Sequence, residues 1–187
     1  MKRESTPQSR VEAAREAFLD RNWPASEDLS PNWGASGEAR SKLTSKLRSE
    51  KRLFGVWSPR RGTYIHPIFQ FLNENPASQA SILPELPALL EALEEIPGFS
   101  DSEMDVAGGD PGRWRRLFWL YGLRDELSER SLAMAAAIQR GISPLEALSL
   151  FDSKSEAPRA PADMFSEAPN AVVALARQDA AEDRDVP

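Results

Sequence analysis

The chain has 187 residues, with 23 Lys and Arg against 29 Asp and Glu, one histidine, no cysteine and 15 prolines. Without cysteine there is no disulfide framework, thiol nucleophile or Cys-type zinc site, and His66 alone cannot build a multi-histidine metal centre. The net charge of −6 is unevenly spread: residues 1–62 carry 13 basic and 8 acidic side chains, residues 63–187 carry 10 and 21.

A polyanion meets local charge before net charge, so a basic head on an acidic protein remains a candidate for nucleic-acid contact. Within residues 40–61 there are eight basic side chains and one acidic, Glu50. No apolar run approaches the ~20 residues of a spanning helix, and no apolar signal segment follows the polar start, so a cytoplasmic protein is expected.

In chain order, residues 1–9 are expected to be disordered. Residues 10–20 predict a short helix with Val11, Ala14, Phe18 and Leu19 on one side. Pro24 and Pro31 break the chain, with room for one short helix over residues 26–33. Residues 36–51 predict a helix with Ser36 as N-cap. Leu53–Trp57 and Thr63–Phe71, rich in aromatic and β-branched residues, predict a hairpin around the turn Ser58-Pro59-Arg60-Arg61-Gly62. Pro67 donates no hydrogen bond, so the second strand is an edge or ends early.

A polar loop over 73–83 leads to an amphipathic helix, Pro84–Ile96. An acidic loop over 97–112 follows. Helices are then expected at Arg113–Leu123, at Leu127–Arg140 with Gly141 as C-cap, and at Ser143–Phe151 with Ser143 capping and Pro144 at its first position. After a linker over 152–161, a last helix covers Glu167–Gln178, and Asp179–Pro187 is an acidic tail.

At 100° per residue, Ala39, Leu43 and Leu47 stack on one stripe of helix 36–51, and Ser41, Thr44, Ser45, Arg48, Ser49 and Arg52 oppose it. Hydroxyls and arginines suit a helix in a major groove. The order helix, turn, basic helix, hairpin is that of a winged helix-turn-helix. The expected DNA-binding residues are Lys42, Thr44, Ser45, Lys46, Arg48 and Arg52, with Arg60 and Arg61 at a wing tip. An ordinary solvated basic face is the competing reading. His66 alternates with Tyr64 and Ile68, which favours a hydrogen-bonded structural histidine over a catalytic base.

Tyr64, Pro67, Phe69, Gln70 and Phe71 match an aromatic-x-x-Pro-x-Phe-Gln-Phe stretch that resembles the Xre/MbcA/ParS-like antitoxins. LPELPALLEAL (83–93) is similar to the helix that follows in that family, and RWRRLFWLYG (113–122) to its Trp-containing helix. Arg159, Pro161, Phe165, Pro169, Val172, Leu175 and Ala176 fit the closing segment. The residues 127–157 intervene where the family usually makes a short turn, and GISPLEALSLF (141–151) is a second match to the closing segment.

The resemblance implies a type II antitoxin whose partner is a RES-domain toxin that consumes NAD or transfers from it. It further implies a C-terminal region covering the toxin's NAD pocket, operon autorepression through the N-terminal module, a homodimer and higher-order toxin–antitoxin complexes. No catalysis, cofactor, metal or membrane contact by this chain is expected. The fold class expected is mainly α with a small β-hairpin: a winged helix-turn-helix-like module over 10–72, a helical toxin-binding and dimerisation domain over 73–178, and a tail over 179–187. The toxin-binding residues expected are Arg159, Phe165, Val172 and Leu175, with Asp179, Glu182, Asp183 and Asp185 approaching the NAD pocket. The alternatives are a stand-alone DNA-binding regulator without a toxin, a structural adaptor, and an enzyme using paired carboxylates such as those of residues 101–105.

Overall fold

A computed structural model describes residues 7–29, 37–72, 81–100 and 111–182. Ser36, the carboxylates of 101–105, and Asp183 and Asp185 lie outside the described residues, as does the second half of the short helix expected over 26–33; the described half, 26–29, is a turn.

The described chain is mainly helical with one small antiparallel sheet. Its helices are α1 (Pro7–Leu19), α2 (Gly37–Ser49), α3 (Leu86–Glu94), α4 (Pro111–Tyr121), α5 (Glu129–Gln139), α6 (Pro144–Leu150), α7 (Pro161–Met164) and α8 (Pro169–Glu182). Local signals account for several of these bounds. Ser128 and Ser143 accept from the backbone N–H groups of Ser131 and Glu146, capping α5 and α6. Gly141 adopts φ +92°, the left-handed geometry that ends α5. None of the described helices is long and apolar enough to cross a membrane.

The sheet pairs β1 (Val56–Ser58) with β2 (Thr63–Ile65), Val56 opposite Ile65 and Ser58 opposite Thr63. Ala25 bridges the other side of β2, where Ser26 N donates to Tyr64 O and His66 N to Pro24 O. Both strands are shorter than the sequence pattern suggests. After Ile65, Pro67 interrupts the ladder and Ile68–Gln70 forms a 3₁₀ turn. The Gln70 side chain then does what a strand backbone would do. Its Oε1 accepts from Phe54 N at 2.7 Å, and its Nε2 donates to Phe54 O at 3.0 Å and Pro67 O at 2.8 Å.

One apolar cluster joins the hairpin to the later helices. Trp23, Phe54, Val56, Ile65 and Phe69 share it with Leu86, Leu89, Leu93, Leu117, Leu120, Phe165 and Val172. The core therefore crosses position 72, where two modules were expected to meet. α8 packs on α3 and α7 on α4. A smaller cluster of Leu29, Leu47, Leu53 and Phe71, with Leu43 against it, seats α2. Burying even one such leucine contributes roughly 1.5–3 kcal/mol, so both clusters fix their helices firmly.

Candidate functional site

The basic stretch splits into two groups. Lys42, Ser45, Lys46 and Arg52 are exposed around α2. Lys42 pairs with Glu38 at 2.9 Å and Lys46 with Glu50 at 3.7 Å, and Arg52 reaches Glu50 at 3.5 Å. Pairs this exposed contribute about 0–1 kcal/mol, so a phosphate can displace them at small cost.

The second group is turned inward. Thr44 is fully buried, and its hydroxyl donates to Ser41 O at 3.0 Å. It sits one residue from Leu43, on the flank of the apolar stripe, and cannot reach a groove from there. The Arg48 guanidinium lies over the Tyr64 ring, 3.9 Å from its centroid, and donates to Ser26 Oγ at 3.4 Å. Burial, with Arg113 nearby, lowers its pKa to about 10 despite the opposing effect of Tyr64. Arg48 is thus a packing cation between α2 and the hairpin.

Arg60 pairs with Glu16 and with Asp20 on and just after α1, and Arg61 donates to Trp23 O at 3.0 Å. These two therefore tether the hairpin turn to α1 and to the segment that follows it instead of standing free at a wing tip. Their partners lie about 40 residues away in sequence, so a count of local charge did not reveal them.

Behind Arg48 runs a buried polar chain. His66 is fully buried, its Nδ1 2.9 Å from Phe54 O and its Nε2 3.1 Å from Ser26 Oγ. A carbonyl only accepts, so Nδ1 carries the proton and Nε2 accepts from Ser26. Burial pushes the His66 pKa down to about 3, the Phe54 carbonyl opposing and the nearby Arg48 and Arg113 adding to the fall. A neutral ring with both nitrogens engaged is a structural strut, as the alternation in sequence suggested.

The C-terminal residues also divide. Phe165, Val172 and Leu175 are buried in the core of this chain, Phe165 stacking edge-on with Phe69 at 5.8 Å. They were expected to anchor a toxin, but they hold α7 and α8 onto α3 and α4. The helical spacing that singled them out is equally the spacing of a core face.

Arg159 forms a two-pronged contact with Glu167, both prongs at 3.2 Å, and exchanges backbone hydrogen bonds with Arg124. Asp179 belongs to α8, not to a free tail. It accepts from Trp119 Nε1 at 2.6 Å and from Arg124 Nη2 at 2.9 Å. Glu182, at the end of α8, is exposed and accepts from Gln178 at 2.8 Å.

Two features escaped the sequence reading. The Trp119–Asp179–Arg124 triad joins the end of α4 and the turn after it to α8 by side chains alone. A cavity of about 720 Å³ opens between the Arg21–Trp23 turn, the Ile68–Leu72 segment, Tyr121 and α7. Among the described residues, no cluster of three or more His, Cys, Asp or Glu side chains is placed to hold a metal ion. No protein-family model, curated protein or solved structure matches the chain.

Proposed function

We propose that this chain is the antitoxin of a type II pair, that its partner is a RES-domain toxin acting on NAD, and that α2 contacts operator DNA in a winged helix-turn-helix arrangement. The reading rests on the resemblance in four segments. The observation that carries it furthest is that these segments build one another's core. Phe69 of the first meets Phe165 of the last at 5.8 Å, α3 packs on α8, and α4 on α7. Segments scattered by chance along a sequence have no reason to coincide with the elements of one core.

Burial revises which side chains serve each contact. On DNA the contact falls to Lys42, Ser45, Lys46 and Arg52, the exposed members of the expected set on and just after α2; Arg60 and Arg61 are also exposed, but the hairpin turn that carries them is tied to Glu16, Asp20 and Trp23. On the toxin, Glu182, Asp183 and Asp185 remain the anionic group offered to an NAD pocket, which receives a pyrophosphate and so favours negative charge. Arg159, half-buried beside Glu167, is the basic residue of the closing segment that a partner can reach.

The test is co-expression with a RES-domain protein encoded beside this chain. Growth arrest by that protein alone, relieved when both are made, and co-purification of the two support the reading. Persistent arrest with both proteins soluble and separate rejects it. A stable, soluble chain that binds its own promoter but not the toxin would assign it instead to stand-alone regulation.

A further inference from the structure

The cavity of about 720 Å³ falls within the roughly 300–1,000 Å³ typical of small-molecule sites. Its walls are Trp23, Phe69 and Tyr121, and Leu72 stands exposed at its edge. Two opposite charges, Arg21 and Asp163, face it from different segments. Neither forms an ion pair among the described residues. The Arg21 guanidinium instead lies over aromatic rings, 4.7 Å from the Tyr121 centroid, 4.9 Å from Phe18 and 5.6 Å from Trp23. Such contacts hold the cation in place, and one hydrogen bond to Tyr121 uses only part of its five donors.

Both charges also act on the Tyr121 hydroxyl, which accepts a hydrogen bond from Arg21. The net effect, dominated by burial, raises its pKa above the ordinary tyrosine value. Arg21 and Asp163 are thus both within electrostatic range of one atom at the wall of one cavity.

We propose that this cavity binds a small zwitterion with a flat apolar body, of the aromatic α-amino acid class. Its carboxylate meets Arg21, its ammonium meets Asp163, and its ring lies against Tyr121 and Phe69. A simple anion would leave Asp163 opposed, and a simple cation would leave Arg21 opposed. A ligand with both charges meets the two at once. The proposal does not depend on the antitoxin reading.

The experiment uses the full chain and three probes sharing one ring: L-tryptophan, indole-3-propionate and tryptamine. Binding is read from ¹H–¹⁵N spectra and by calorimetry. L-Tryptophan is expected to bind at least about tenfold more tightly than either singly charged probe, which corresponds to ~1.4 kcal/mol. Arg21→Gln should weaken L-tryptophan and indole-3-propionate about tenfold and leave tryptamine unchanged. Asp163→Asn should weaken L-tryptophan and tryptamine and spare indole-3-propionate. Asp163 is exposed, so its variant keeps the fold, and Arg21→Lys supplies a second basic-side variant if Arg21→Gln melts early. The proposal is overturned if no probe gives saturable shifts at millimolar concentration. It is equally overturned if the three probes bind alike, or if Asp163→Asn changes the affinity of none.

Discussion

The imidazole of His66 fills the space that a side chain on Gly55 would need: a Cβ there would stand 2.8 Å from both Cε1 and Nδ1 of the ring. The ring cannot withdraw without breaking its hydrogen bonds to Phe54 O and Ser26 Oγ. Gly55→Ala is therefore expected to destabilise the fold by about 1–3 kcal/mol, the usual cost of overpacking. Thermal unfolding checks this, at roughly 2–4 °C of Tm per kcal/mol for a domain of this size. An unchanged Tm would show that the ring is free to move.

The same histidine predicts an acid response. Its folded pKa of about 3 lies below the ordinary 6.5, so between these values the unfolded chain holds the extra proton. Stability rises with pH where the unfolded state binds more protons. The contribution of His66 is thus intact above pH ~6.5 and falls away as pH drops toward ~3, at up to about 1.4 kcal/mol per pH unit. Carboxylates add their own slope, so the comparison is with His66→Gln. That variant starts less stable at pH 7 and loses less between pH 6.5 and 4. Parallel curves for the two proteins would deny His66 the titration assigned to it.

Asp179 separates structure from tail chemistry. Replacing it by Asn keeps an acceptor for the Trp119 indole but removes the charge facing Arg124. Arg124 and Asp179 are largely covered, at 29% and 19% side-chain exposure. The expected loss is about 1–3 kcal/mol, with a change in tryptophan fluorescence. By contrast, removing residues 183–187 leaves α8 and its contacts whole. That truncation should keep the Tm within about 2 °C, because surface changes usually stay within ±0.5 kcal/mol, and lose toxin neutralisation. Full neutralisation by the truncated chain would remove Asp183 and Asp185 from the interface.

Arg48 and the exposed cations of α2 part company under mutation. Arg48→Ala removes the ring contact with Tyr64 and a donor to Ser26, and should lower Tm before any DNA effect is considered. Lys46→Glu with Arg52→Glu should leave Tm nearly unchanged yet weaken operator binding. The slope of log K against log salt should also become shallower by about two, since each lost phosphate contact releases about one counterion fewer. Unaltered affinity and slope in the double variant would reject α2 as the DNA-facing helix.

The elements legible in the sequence are those written in local chemistry. The 3.6-residue periods of α3 and α4, the Ser143-Pro144 start of α6 and the glycine ending α5 were all readable. The second strand was overextended because Gln70 replaces backbone pairing with its side-chain amide, a substitution no strand pattern encodes. Thr44 and Arg48 were misplaced because a helical wheel ranks faces without knowing what packs on them: Thr44 is buried, and Arg48 lies over Tyr64 of the hairpin. Phe165, Val172 and Leu175 were legible as an apolar face, but the sequence does not state whether such a face meets the same chain or another. The pairing of Arg60 with Glu16 and Asp20, and the meeting of Arg21 and Asp163 at one cavity, depend on tertiary approach alone.

As proposed, this chain silences a toxin that acts on NAD. The most direct measurement is the rate of NAD loss catalysed by the purified RES-domain partner as the full chain is titrated in. The account predicts that the rate falls to background at a fixed stoichiometric ratio, and that the chain alone leaves NAD untouched. NAD consumption that continues undiminished at a tenfold excess of folded chain would contradict it.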